Sequence, residues 1–281
     1  MRHGRESGLD VKPYWQSADG AIAVYHARFE DVLAAGVVDV PRVALVHDDP
    51  TYGNGDHAHR PGQVAGRIRR NTKGTARSNG AENGRAREYP ALPGNDRPFD
   101  PSPLLALDRP LVLWGGNHYA SRLPDSTAWI FWDKRDGTEP DDGSDGELAW
   151  TNLGGALRTF RHVWRGLCRA SETGTPHLHP TQKPVELSLF AFRRAKLEPG
   201  DLVFVPHGGS GPDLVAARTM KLRMIWCDVE EWCCNTAISR LPDAPIEIVA
   251  RAKEWQRRPA KPDPKRAAEP VGPLFAAQVS K

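Results

Sequence analysis

Apolar and polar positions change their period several times along the chain, and each change marks a candidate element. Ala21 to Tyr25 reads as a short strand and Phe29 to Ala35 as a helix. Arg42 to Val46 reads as a buried strand that runs into Asp48-Asp49-Pro50. From Asn54 to about Arg97 the periodicity disappears, and Gly, Asn, Arg and Pro dominate, which predicts a long flexible loop. Leu111 to Trp114 and Ala128 to Trp132 are again strand-like, and Glu139 to Gly146 is an acidic, glycine-rich turn. Val185 to Leu197 sets Val185, Leu189, Phe190 and Phe192 on one helical face. Leu202–Val205, Asp213–Met220, Leu222–Cys227 and Glu230–Leu241 then alternate strand, helix, strand, helix. That alternation predicts an α/β fold with a mostly parallel sheet and helices on both faces. The pattern divides the chain into an N-terminal extension (1–20), one domain (21–245, with 54–97 as a flexible basic insertion) and a tail (246–281). The tail turns basic and proline-rich from Arg251 and reads as disordered.

Composition narrows the class. The 281 residues are 39% hydrophobic and 26% charged, enough apolar material for a core of domain size. No apolar run approaches the roughly 18 residues that a membrane helix needs. Met1-Arg2-His3-Gly4-Arg5-Glu6 has no apolar segment behind it, so no secretory leader is expected and the reading is cytoplasmic. Cys168, Cys227, Cys233 and Cys234 contain no CxxC pair and read as reduced, buried thiols. Net charge is only +3, so the placement of the charge matters more than its sum. Arg60, Arg67, Arg69, Arg70, Lys73, Arg77, Arg85 and Arg87 share the insertion with a single acid in that span, Glu82. A run of that kind suits phosphates, and equally a solvated loop.

Four constellations carry candidate chemistry. Asp49-Pro50-Thr51-Tyr52 directly follows a strand, where open α/β sheets place ligands. A carboxylate and a backbone carbonyl can accept the hydrogens of an amine whose lone pair is delocalised into a ring, and an aromatic side chain can stack on that ring. The same four residues also suit a plain type I turn. Val205-Pro206-His207-Gly208-Gly209-Ser210-Gly211-Pro212 is a glycine loop between a strand and a helix; it lets main chain approach a ligand, with the helix N-terminus favouring electron-rich groups. Asp228 ends the next strand, 17 residues beyond Gly211, close to the spacing at which an acid reaches ribose hydroxyls in nucleotide-binding folds. It also suits a helix N-terminus. Finally, His179-Pro180-Thr181-Gln182-Lys183-Pro184 precedes the Val185 helix; no turn requires such a string, and Thr181 is placed to cap that helix.

Together these segments resemble the S-adenosylmethionine-dependent amino-group DNA methyltransferases, which act on adenine N6 or cytosine N4, in the permuted beta-type order and of the phage or bacterial type. That family carries Asp-Pro-Pro-Tyr where this chain has Asp49-Pro50-Thr51-Tyr52. It carries Asp-Pro-Phe-x-Gly-Ser-Gly-Thr where Val205 replaces the Asp, His207 the Phe and Pro212 the Thr. The turn at His179 matches throughout, and Gly115–Tyr119, Trp129–Arg135 and Glu147–Asn152 look like segments of phage-type members. The resemblance runs from about Ala21 to Leu241. It implies a Rossmann-like αβα sandwich with circularly permuted motif order and the target-recognition segment between its halves. It assigns Asp49, Pro50 and Tyr52 to catalysis. It assigns His179, Thr181, Lys183, Pro206, Gly208, Gly209, Ser210, Gly211 and Asp228 to S-adenosylmethionine. The partner it implies is DNA, whose target base must be flipped out or single-stranded; Arg67, Arg69, Arg70 and Lys73 of the basic insertion are the candidate contacts to its phosphates. No metal is expected, since His57 with His59 and His177 with His179 have no further Cys, Asp or His partners and read as loop histidines. Whether the chain is a monomer or homodimer is left open. The reaction implied is methylation of adenine. Cytosine N4 is the alternative, as is a family member that binds DNA or a partner protein without catalysis, a reading prompted by Thr51, Val205, His207 and Pro212.

Overall fold

The computed structural model describes residues 10–53, 92–137, 144–165, 168–175, 177–179 and 181–257. In chain order the described residues form β1 (Trp15–Gln16), β2 (Ile22–His26), α1 (Phe29–Ala34), β3 (Val43–Asp48), α2 (Ser102–Leu105) and β4 (Leu111–Trp114). Next come β5 (Ile130–Asp133), β6 (Gly146–Thr151), β7 (Arg158–Arg161), β8 (Trp164–Arg165) and β9 (Cys168–Arg169). The last third contains α3 (Val185–Arg194), β10 (Leu202–Val205), α4 (Pro212–Met220), β11 (Arg223–Asp228), α5 (Glu231–Ile238) and α6 (Ile246–Arg257).

One sheet runs in the order β1-β2-β11-β10-β3-β4-β6-β5-β7, and β8 and β9 pair separately. From β2 to β4 every pairing is parallel, whereas β1 and β6 are antiparallel to their neighbours. β10 is Leu-Val-Phe-Val, buried at each residue, as a central strand covered on both faces must be. Its alternation sends Val203 and Val205 to one face, where Leu45, Met224 and Trp226 join side chains of α3, α4, α5 and α6. Leu202 and Phe204 face the other side, with Val43, Val46 and Cys227 under α1 and α2. The result is a three-layer αβα sandwich of Rossmann type. Phe204 and Trp226 are fully buried, and burial of such side chains contributes roughly 1.5–3 kcal/mol each.

The order of strands fixes where a ligand can sit. The chain leaves β10 through α4 to β11 on one side, and leaves β3 for β4 on the other. The carboxyl ends of β10 and β3 therefore flank a topological switch point, the crevice where such sheets bind ligands.

Three expectations need correction. A tail is expected from 246, but Ile246–Arg257 is helix α6: Ile248 and Ala252 are buried, and the Trp255 ring stacks on Trp232 with centroids 4.2 Å apart. The basic and proline-rich composition farther on obscures a helical apolar face that α5 covers. The N-terminal extension supplies β1, with Trp15 opposite Val24. Of the four thiols, Cys227, Cys233 and Cys234 are buried, but Cys168 lies exposed on a two-residue strand.

Candidate active site

The carboxyl end of β3 is anchored from beneath. His47 is buried, and its Nδ1 lies 2.8 Å from Asp213 Oδ1 while its Nε2 accepts the Trp114 indole hydrogen at 2.9 Å. Since Nε2 accepts, Nδ1 must donate, and the tautomer is fixed. Ser188 of α3 donates to the same Asp213 oxygen at 2.7 Å. This polar cluster ties β3, β4, α3 and α4 together directly below Asp48 and Asp49.

At the strand end Asp48 turns towards β10. Its Oδ1 accepts both the His207 backbone N–H and the His207 ring nitrogen Nδ1, each at 3.0 Å. Burial opposes a charge on His207, but Asp48 more than compensates and raises its pKa. The imidazole packs edge-on against Phe29 and Phe99. Where the resembling family has Phe, this chain thus has a hydrogen-bonded His–Asp pair linking the two strand ends.

Asp49 turns the opposite way. Its Oδ2 lies 2.7 Å from Lys183 Nζ, which also lies 3.0 Å from Glu147 Oε2; Lys134 pairs with the other Glu147 oxygen. The four charges alternate in sign along one chain and are largely buried. Burial pushes the Asp49 carboxyl up, with Lys183 acting against it. Burial works the same way on Glu147, yet Lys183 and Lys134 hold that carboxyl at about 2. Burial would lower Lys183, but Asp49 and Glu147 keep it well above the ordinary lysine value. Pro50 is buried, and Thr51 Oγ1 donates to the Pro93 carbonyl at 3.0 Å, closing the base of the insertion. The Tyr52 ring lies flat on His118, centroids 4.3 Å apart and planes within 3°. Gly115 permits this: a Cβ there would stand 2.4 Å from Tyr52 Cε1. Burial raises the Tyr52 pKa, so the phenol stays protonated.

The glycine loop faces these residues from β10. A Cβ on Gly208 would fall 1.7 Å from Trp226 Cε2, so the loop rests directly on the buried indole. Gly209 N–H donates to Asp228 Oδ2 and Glu230 N–H to Asp228 Oδ1, both at 2.8 Å. Two donors fix the carboxylate and leave its outer lone pairs for hydroxyl groups. Burial lifts Asp228 to about 6 despite those hydrogen bonds. His179 flanks Gly209; its ring stacks on Trp232 at 5.1 Å, and burial together with Lys183 lowers its pKa to about 3. Ser210 is buried, and its carbonyl accepts from Arg240 Nη1 at 2.9 Å.

Glu172 is the residue that sequence reasoning missed on this side. Its Oε1 accepts the Val185 N–H at 2.9 Å, capping α3 from thirteen positions upstream. Its Oε2 accepts from Gln182 at 3.2 Å and from Arg240 at 2.9 Å. One carboxylate therefore holds the His179–Pro184 turn, the start of α3 and, through Arg240, the glycine loop. Only an unpaired acid shortly before the turn could have signalled it. Glu172→Ala leaves three donors unmet and should lower the unfolding free energy by about 2 kcal/mol, read from urea denaturation, with Glu172→Gln recovering part of the loss.

The structure gathers Asp49, Pro50, Tyr52, His179, Lys183, Pro206, Gly208, Gly209, Ser210, Gly211 and Asp228 around the crevice between β3 and β10. One placement differs from expectation. Thr181 does not cap α3; its hydroxyl is 3.2 Å from His179 Nδ1, because the helix starts at Val185 behind Pro184 and Glu172 takes the cap. Lys183, expected to face the cofactor or the DNA, lies between Asp49 and Glu147. Arg67, Arg69, Arg70, Lys73 and Pro180 lie outside the described residues. Among the described residues no cluster of His, Cys, Asp or Glu has the make-up of a metal site, and no helix is long and apolar enough to cross a membrane.

No protein-family model and no curated protein matches the chain. Solved structures do. The PvuII DNA methyltransferase (cytosine-N4-specific) is 13% identical, with a TM-score of 0.54 over 88% of this chain and 96% of that one. The complex of M1.HpyAVI with SAM is 17% identical, with a TM-score of 0.43 over 78% of this chain and all of that one. The likeness to the PvuII structure shows that the Rossmann-like α/β fold is shared.

Proposed function

We propose that the chain is an S-adenosylmethionine-dependent DNA methyltransferase that methylates the exocyclic amine of adenine. The observation that carries this reading is the juxtaposition of Asp49-Pro50-Thr51-Tyr52 at the end of β3 with the glycine loop at the end of β10, the two strands being neighbours at the switch point. One side offers hydrogen-bond acceptors and a flat ring to a base. The other offers close main-chain approach and a held carboxylate, Asp228, to a nucleoside.

S-adenosylmethionine supplies an electrophilic methyl group when bound; Pro206, Gly208, Gly209, Ser210, Gly211, His179, Thr181 and Asp228 would hold it. The chain's own contribution is placement. Asp49 and the Pro50 carbonyl accept the two amine hydrogens, which localises the nitrogen lone pair, and Tyr52 stacks on the base. Holding amine and methyl in line supplies most of the acceleration. The basic residues Arg67, Arg69, Arg70 and Lys73 are proposed to grip phosphates beside the pocket, so binding should weaken steeply with salt. The soluble-enzyme setting proposed is the cytoplasm, and the oligomeric state is not part of the proposal.

Cytosine N4 is the second reading, favoured by the cytosine-N4-specific PvuII enzyme, whose fold this chain shares. The test is transfer of tritium from labelled cofactor to unmethylated DNA, followed by digestion to nucleosides. Label in N6-methyl-2′-deoxyadenosine is the expected result, and label in N4-methyl-2′-deoxycytidine selects the second reading. Absence of label at saturating cofactor sinks both, and leaves a protein that binds DNA or a partner through the same fold.

A further inference from the structure

The chain of buried charges behind Asp49 has no part in the methyl transfer outlined above, and it has a directional order. Lys183 Nζ lies 2.7 Å from Asp49 Oδ2. Glu147, from β6, holds Lys183 at 3.0 Å, and Lys134, just after β5, holds Glu147. Each member arises from a different part of the fold, so the arrangement joins the His179–Pro184 turn, the far half of the sheet and the catalytic strand end.

We propose that Lys183 and Glu147 are the positioning pair of the site: Lys183 occupies Oδ2 of Asp49 and so presents Oδ1 to the target amine, while Glu147 fixes Lys183 in that place. This rests on the methyltransferase reading above. A carboxylate free to rotate would offer either oxygen in many orientations, and a buried one with no cation would take up a proton and become a weaker acceptor. Lys183 counters both. Glu147 prevents the ammonium from following the carboxylate or entering the amine's place, and Lys134 keeps Glu147 from being an unbalanced negative charge.

The arrangement makes a signed prediction, because ionised Asp49 is much the stronger acceptor of an amine hydrogen. The groups facing it are Lys183, Glu147, Asp48, Tyr52 and Tyr119. Lys183 favours the ionised form and Glu147 opposes it. Lys183→Met should therefore raise the Asp49 pKa and move the acid limb of the rate–pH profile to higher pH. Glu147→Gln, nearly isosteric, should move the same limb to lower pH while slowing the plateau, since Lys183 is then less firmly held. Lys183→Arg keeps the charge and should return the limb towards that of the unmodified protein.

The experiment measures single-turnover methyl transfer against pH for the four proteins. Alongside it, carbon-13 NMR follows the side-chain carboxyl of Asp49, assigned by its loss in Asp49→Asn. Opposite displacements of limb and carboxyl titration in the Met and Gln variants are the expected result. Displacements in the same direction, or none in an active protein, overturn the inference. If Lys183→Met fails to fold, Glu147→Gln alone decides by the sign of its shift. A protein without substitutions that transfers no methyl group overturns the functional reading itself, and the positioning role with it.

Discussion

Asp49→Ala should lower the rate constant for methyl transfer at saturating DNA and cofactor by about a thousandfold, the loss typical of removing a preorganised hydrogen-bonding group from a reacting centre. The substitution removes the acceptor that localises the amine lone pair, and it also unbalances the charges behind it. Lys183 then retains Glu147 as its partner, but Glu147 must serve two lysines. Cofactor affinity should stay within about threefold of the unmodified protein, because no described contact of Asp49 reaches the glycine loop. Single-turnover transfer and calorimetry with S-adenosylmethionine check the two halves. A rate loss below about tenfold would remove Asp49 from the chemistry, and a parallel loss of cofactor binding would show a collapsed site instead.

The second large effect is on binding. In Gly208→Ala the added methyl would stand 1.7 Å from Trp226 Cε2 and 1.9 Å from Nε1. Trp226 has no room to yield, being fully buried within the core that α3, α4 and α5 cover. The loop must lift away from the indole, and overpacking of this sort costs about 1–3 kcal/mol of stability. Lifting also parts Gly209 from Asp228, so affinity for S-adenosylmethionine should fall by about a hundredfold or more, as two coupled contacts are lost. Gly209→Ala is the comparison. Its methyl would meet only His179, at 3.8 Å, so the cost is confined to a φ of +55°, on the order of 1 kcal/mol. Equal affinities for the two variants, from calorimetry on folded protein, would contradict the seating of the loop on Trp226.

Much of this was legible in the chain. The apolar runs at Leu111–Trp114 and Leu202–Val205, and the alternation from Val185 to Leu241, sufficed for the fold, because a buried parallel strand cannot disguise its composition. Asp49, the glycine loop and Asp228 were legible for a related reason: each stands at a strand end, and strand ends can be read from where apolar runs stop. Partnership escaped. Nothing in Glu147 or Glu172 marks them as anything but exposed acids until the sheet brings β6 beside β4 and folds the residues after β9 against α3. His207 looked like the loss of an aromatic ring, whereas it gains Asp48 from a strand far away in sequence. Strand β7, Arg-Thr-Phe-Arg, carries one apolar residue, because an edge strand with exposed side chains has no pattern to keep. Helix α6 was hidden by the basic, proline-rich sequence beyond it.

The strand order also sets a timetable. β2 and β3 lie close in sequence but not in the sheet, where β11 and β10 stand between them. On a ribosome, those two strands emerge only after the intervening part of the chain has been made, at about 5–20 residues per second. Until then β2 and β3 keep their inner edges open, and Asp48 and Asp49 have neither His207 nor Lys183. Such contacts between distant segments fold slowly, and open edges invite pairing with other chains. The nascent N-terminal half therefore carries Asp48 and Asp49 before their partners on the later strands and turn exist. On the proposed reading the site is complete only late, when the final third threads its two strands into the gap.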